Sequence, residues 1–208
     1  CLLARLQELR HLLSVYAPSI VFIQETWLNS DVQHFDIVRY SIVGRRDRSD
    51  HENRGGVLTL CKSSLAPFIV HLHSSSEAER MWHYLVLDIG VIALCNWYRP
   101  PGAADEVVEI FRDEFLEFVS DVQHRVICGD LNIHHITWLR VSNGRTPVGE
   151  LLFSMCAELN LKQHVEQPTR NQYSLDLCLT DFDKAKCLVF PGILDHDIVY
   201  GSICLLYT

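Results

Sequence analysis

The sequence has no Cys-x-x-Cys pair, no apolar run of about 18 residues, no basic excess and no low-complexity stretch. Each absence excludes something. The eight cysteines are Cys1, Cys61, Cys95, Cys128, Cys156, Cys178, Cys187 and Cys204, and their spacing does not make a zinc ribbon. Cys95, Cys128, Cys178 and Cys204 sit inside apolar runs, where a thiol packs as a small hydrophobe. Reduced thiols of an intracellular protein fit this better than a disulfide framework. No membrane span is expected. The Leu-rich start is broken by Arg5, Glu8 and Arg10, unlike a signal peptide. It opens at Cys1 rather than Met, as a fragment or processed domain would. Lys plus Arg number 18 against 26 Asp plus Glu, a formal charge of −8. That balance argues against a protein that coats nucleic acid by bulk attraction. It leaves open an enzyme whose carboxylates hold a metal against a phosphate.

What is present is globular. Hydrophobic residues make up 48% and charged residues 21% of 208 positions. We expect one domain over 1–208, long enough to bury roughly 70% of its unfolded surface without disulfides. Leu2, Leu3, Leu6, Leu9, Leu12, Leu13 and Tyr16 predict a helix that Pro18 ends. Strands are predicted at Ile20–Ile23, Phe35–Val43, Val57–Cys61, Phe68–Leu72, Tyr84–Ile89 and Val91–Trp97. The stripe from Val107 to Val122 predicts the clearest helix. A strand at Arg125–Cys128 and a helix at Val148–Leu159 follow. The last strands are predicted at Leu175–Leu179, Lys186–Phe190 and Ile198–Leu206. Strands dominate and helices do not alternate strictly with them, so the expected class is α+β with mostly antiparallel sheets.

Four acidic residues fall at strand ends: Glu25, Asp130, Asp176 and Asp195. Carboxylates gathered on one sheet rim repel unless a hard cation lies between them, and Mg²⁺ prefers such oxygen ligands. Singly, such a residue is more often a turn former or helix cap. In Cys128-Gly129-Asp130-Leu131-Asn132, Asp130 and Asn132 leave a tight exit together, suited either to orienting a water and a phosphate oxygen or to an Asx-turn. His196, between Asp195 and Asp197, is a candidate acid, base or charge stabiliser, with Asp176 available to orient it. Tyr98-Arg99 could grip a phosphate or simply form a solvated turn. Gln167-Pro168-Thr169-Arg170 is similarly open. His134 and His135 are adjacent, a spacing uncommon for zinc.

The motifs in order are Q-E-T-W, R-G-G-V, N-W-Y-R-P-P, G-D-L-N-x-H-H-x-x-W, P-T-R, L-D-L and D-H-D-x-V. This string resembles the exonuclease–endonuclease–phosphatase superfamily, and within it the apurinic-type endonuclease domain of non-LTR retrotransposons. The resemblance runs from about Pro18 to the C-terminus. It implies a four-layer α/β/β/α sandwich, two mixed β-sheets face to face with helices outside. It implies Mg²⁺ or Mn²⁺ as cofactor, with Glu25 the principal ligand and Asp195 assisting. Asp130 would position or deprotonate the attacking water, and Asn132 would hold the water or the phosphate. Tyr98 would contact the scissile phosphate. His196, oriented by Asp176, would stabilise the transition state. Double-stranded DNA would be the substrate, a reverse transcriptase domain would lie downstream, and the location would be nuclear.

Two departures bear on activity. The family carries an Asn on a first strand before the first helix, and here the chain opens at that helix. The family favours Ser before Asp-His, and this chain has Leu194. Three readings follow: a Mg²⁺-dependent endonuclease that nicks DNA to prime reverse transcription, a phosphatase of the same superfamily, or a non-catalytic relic. Arg45, Arg46, Arg48 and Arg54 are the basic candidates for DNA-backbone contact, interleaved with Asp47, Asp50 and Glu52 as a solvated loop would be.

Overall fold

The computed structural model describes residues 1–48, 54–192 and 195–203. Helix α1 (Leu6–Tyr16), preceded by a 3-10 turn (Leu2–Arg5), leads into β1 (Ile20–Gln24). Strands β2 (Tyr40–Arg46) and β3 (Val57–Lys62) complete a three-stranded antiparallel sheet in the order β1-β3-β2. Strands β4 (Ile69–Ser74), β5 (Glu79–Leu87) and β6 (Gly90–Tyr98) form a meander. Helix α2 (Glu106–Glu114), extended by a π turn (Phe115–Val119), crosses over to β7 (His124–Asp130), which pairs parallel with β6. Helix α3 (Pro147–Glu158), β8 (Lys162–Gln163) and β9 (Asp176–Thr180) follow. The large sheet therefore runs β4-β5-β6-β7-β9-β8 and is mixed through its one parallel pair. Strands β10 (Ala185–Phe190) and β11 (Ile198–Ile203) form a separate antiparallel pair.

Period-2 alternation sorts these strands into layers. On β6, Ala93, Cys95 and Trp97 face α2 and α3, where Phe111 stacks on Trp97 with centroids 4.7 Å apart. The opposite face, with Leu85, Ile92, Leu94 and Val126, packs on Ile20 and Phe22 of β1. On the outer face of the small sheet, Leu58 and Leu60 pack under Leu9 and Leu13 of α1. The result is the expected helix–sheet–sheet–helix sandwich.

Most predicted elements appear within a few residues, and two differ. The strand predicted at Phe35–Val43 begins only at Tyr40 and runs on to Arg46. The Arg45 guanidinium reaches back to the carbonyls of Val32 and Asn29 at 2.5 and 2.6 Å and to Asp47. It braces the preceding loop, which corrects its candidacy as a DNA contact. The strand predicted from Tyr84 begins at Glu79. Its charged opening concealed it, because Arg80 is wholly buried and paired with Glu114, Nε to Oε2 at 2.6 Å. No described helix is long and apolar enough to cross a membrane.

Candidate active site

The site lies where the inner faces of the two sheets meet at one rim. Asp130 ends β7, Asp176 begins β9, and the two are direct cross-strand partners. Like charges directly opposite are destabilising, so this pair is held by the surrounding structure. Gly129 makes the rim possible: a Cβ there would lie 1.7 Å from the Trp97 carbonyl oxygen. Beyond it Asn132 turns left-handed (φ 47°) and donates its backbone N–H to Asp130 Oδ1 at 3.2 Å. Its amide donates to the Arg99 carbonyl at 3.0 Å, and Arg99 N–H donates to the Asp130 carbonyl at 2.9 Å. The tight exit is thus an Asx-type turn that also fixes Asn132 beside Asp130.

His196 enters from the turn before β11. Its Nδ1 lies 2.7 Å from Asp176 Oδ2, and its Nε2 lies 3.8 Å from Asp130 Oδ2. The first contact is a short, charge-assisted hydrogen bond. The second is too long for one and leaves room for a bridging atom. Asp130, Asp176 and His196 each offer a ligand atom, all within 4.8 Å of one another. Burial pushes the Asp130 carboxyl up to about 7, reinforced by Asp176 and opposed by His196. Burial works against the imidazolium of His196, but the Asp176 hydrogen bond and the two carboxylate fields outweigh it, so its pKa is raised.

Glu25 reaches the same rim by a backbone turn. Strand alternation would send it to the α1 side with Val21 and Ile23, but its left-handed conformation (φ 51°) redirects it. Tyr98 Oη donates to Glu25 Oε1 at 2.5 Å. Burial raises the Tyr98 pKa, and the Glu25 carboxylate it bonds raises it further, so the hydroxyl stays protonated. Asn96, fully buried one rung below Tyr98, accepts from Gln24 at 2.6 Å and donates to the Leu58 carbonyl at 2.9 Å. It stitches the sheets together beneath the site. Nothing in N-W-Y marked this role, because a lone Asn beside aromatics reads equally as a strand end.

Thr169 resolves the open P-T-R segment. It is fully buried, and its Oγ1 accepts from the N–H groups of Leu175 and Asp176, both at 3.0 Å. Its carbonyl accepts from Asp197 N–H at 2.6 Å. One threonine therefore positions both the start of β9 and the turn before β11, which carry the Asp176–His196 pair. Asp195 is not brought into the cluster: its Oδ2 lies 2.6 Å from Arg170 Nη2, on an exposed side chain. Leu194 lies outside the described residues, as do Asp50 and Glu52. His135 is structural. It is fully buried, and its Nδ1 accepts the Trp138 N–H at 3.0 Å.

The sequence matches the profile of the Endonuclease/Exonuclease/phosphatase family over residues 2–149. The chain belongs to that family. No curated protein sequence matches it. Among solved structures, the endonuclease domain of TRAS1, a telomere-specific non-LTR retrotransposon, superposes with TM-score 0.75 at 15% identity, covering 97% of this chain and 93% of that one. The Xenopus laevis APE2 catalytic domain gives 0.76 at 14% identity, with 94% and 86% covered. The AP endonuclease LMAP from Leishmania major gives 0.72 at 16% identity, with 94% and 81% covered. At these identities the likeness establishes the fold. As a member of this family, the chain has the scaffold of hydrolytic nucleases and phosphatases.

Proposed function

We propose that this endonuclease/exonuclease/phosphatase-family chain is a Mg²⁺- or Mn²⁺-dependent endonuclease that hydrolyses a DNA phosphodiester. The observation that carries the reading is the Asp176–His196–Asp130 arrangement, an oriented imidazole held 3.8 Å from a second carboxylate. The donor set fits a hard cation. It is rich in carboxylate oxygen, and the Asp176 charge that adds to burial in raising Asp130 is what a divalent ion offsets. Glu25 would be its principal holder, with the Asp130 side of the rim beside it. A bound metal would supply Lewis-acid polarisation of the phosphoryl oxygen.

The side chains supply the rest. Tyr98, kept protonated, donates its one hydroxyl proton to Glu25, and would turn it to a phosphate oxygen once a metal engages that carboxylate. Asn132, fixed by Arg99, orients the water or the phosphate. Asp130, with its Oδ2 3.8 Å from His196 Nε2, accepts the proton of the attacking water. His196, charged through Asp176, offers Nε2–H to the developing negative charge. Asp195 neutralises Arg170 and steadies the turn that carries His196.

The nick would leave a 3′-hydroxyl to prime reverse transcription by a downstream domain, with chromosomal DNA in the nucleus as target; the fold likeness to the endonuclease domain of a telomere-specific non-LTR retrotransposon supports this reading. The test is supercoiled plasmid with Mg²⁺, comparing the chain with Glu25→Ala and His196→Ala. Nicking by the parent alone supports the reading. Equal nicking by all three, or none from a cooperatively folded parent, overturns it.

A further inference from the structure

Past Tyr98 the rim opens into a cavity of about 210 Å³ between the ends of β5 and β6 and the loop after Arg99. Its walls include Arg46, Trp97, Tyr98, Arg99, Ala103 and Val107. Apart from Tyr98, and Arg99 beside Asn132, none of these side chains has a task in the hydrolytic arrangement. Trp97 is fully buried and Arg99 nearly so, yet Trp97 Nε1 and Arg99 Nε have no hydrogen-bond acceptor. Buried donors in folded proteins are nearly always satisfied. Two of them in the walls of one cavity point to an acceptor that arrives from outside.

The charges say what kind of acceptor. Glu79 is already taken by Arg48, Nε to Oε1 at 2.6 Å, and by the Gly56 N–H. Glu77 is exposed and bonds Ser76 Oγ at 3.0 Å. Asp105 stands 4.0 Å from Arg99 on a half-exposed side chain. The wall is left with donors and guanidinium groups, which suit an anion with several oxygens. The volume falls below the roughly 300–1,000 Å³ of pockets for drug-sized ligands, so it suits one small group rather than a whole nucleotide.

We propose that this cavity is a second phosphate subsite, which takes the backbone phosphate next to the scissile one on the same strand. The identity of that phosphate rests on the nuclease reading; the anion site itself does not. Together the two sites would set the register of the strand, since phosphate contacts position nucleic acid.

The test reads binding without turnover. The four tryptophan indoles are labelled with ¹⁵N, and the Trp97 resonance is identified by its loss in Trp97→Phe. The metal-free chain is then titrated with the trinucleotide TpTpT, whose two phosphates span both sites, and, separately, with the one-phosphate dinucleotide TpT and with inorganic phosphate. The Trp97 N–H should move downfield and saturate, at lower concentration for TpTpT than for TpT. Ala103→Phe fills the cavity and keeps every charge; Arg46→Ala removes one donor group and leaves the core intact. Each should weaken TpTpT by roughly tenfold or more. No saturable shift with TpTpT or with phosphate, or equal affinity in wild type and both variants, would overturn the subsite. Equal affinity for TpTpT and TpT would overturn its assignment to the phosphate next to the scissile one. Failure of plasmid nicking would leave these titrations unaffected, so the two ideas fail separately.

Discussion

His196 approaches Asp176 through Nδ1 at 2.7 Å, and that contact decides which ring nitrogen is left for chemistry. With Nδ1–H given to the carboxylate, Nε2 faces the gap toward Asp130. Asp176→Asn keeps the shape but removes the charge that favours the imidazolium. Nicking should fall by roughly 10²-fold or more, with the acidic-to-neutral plateau narrowed as the His196 pKa drops. A pH–rate profile of the variant checks this; an unchanged profile would show that Asp176 does not act through His196.

Asp130 should destabilise the metal-free protein at alkaline pH. Its folded pKa of about 7 lies above its ordinary value of 3.8, so the folded state holds the proton longer. Stability from this group is full below about pH 4 and is lost as pH rises through 7. Asp130→Asn should therefore stabilise the metal-free chain by about 2–4 kcal/mol near pH 8, and by only about 1–2 near pH 5. Urea unfolding at the two pH values measures it. Mg²⁺ should raise the parent's melting temperature, and Glu25→Ala should abolish that rise.

His83 should produce the opposite slope. It is fully buried, and burial with His71 nearby pushes its pKa down to about 4. His71 Nδ1 is 3.4 Å from its Nε2, and no described carboxylate pairs with it. The unfolded chain takes up a proton near pH 6.5 that the folded chain refuses until about 4. Stability is therefore complete above 6.5 and is lost as pH falls. The loss between about pH 7.5 and 5 should be about 2 kcal/mol, and His83→Gln should remove that part of the slope in chemical denaturation.

Glu114 accepts from Arg80 Nε at 2.6 Å and from Trp82 Nε1 at 2.8 Å, all inside the layer between α2 and the large sheet. Glu114→Ala would strand a buried guanidinium and an indole N–H. Destabilisation by about 3–5 kcal/mol is expected, read from the denaturation midpoint. Glu114→Gln, which keeps an acceptor, should lose less.

The amino-acid pattern alone determined a good deal. Apolar runs with period 2 or 3.6 marked almost every element, because burial on one or both faces dictates where apolar side chains recur. Asp130, Asp176 and His196 were legible because each follows or opens such a run. What only the tertiary structure decided depended on direction and partnership. Glu25 joins the rim through a left-handed residue that reverses its strand parity. Asp195, equally acidic and equally placed in the sequence, goes to Arg170 instead. Arg45 turns inward to carbonyls, and Glu79 and Arg80 open a strand that their charges disguised. The cavity beside Tyr98 exists only because β5, β6 and the loop after Arg99 converge there. Local patterns report how much a residue wants burial; which neighbour satisfies it is set by chain segments dozens of residues away.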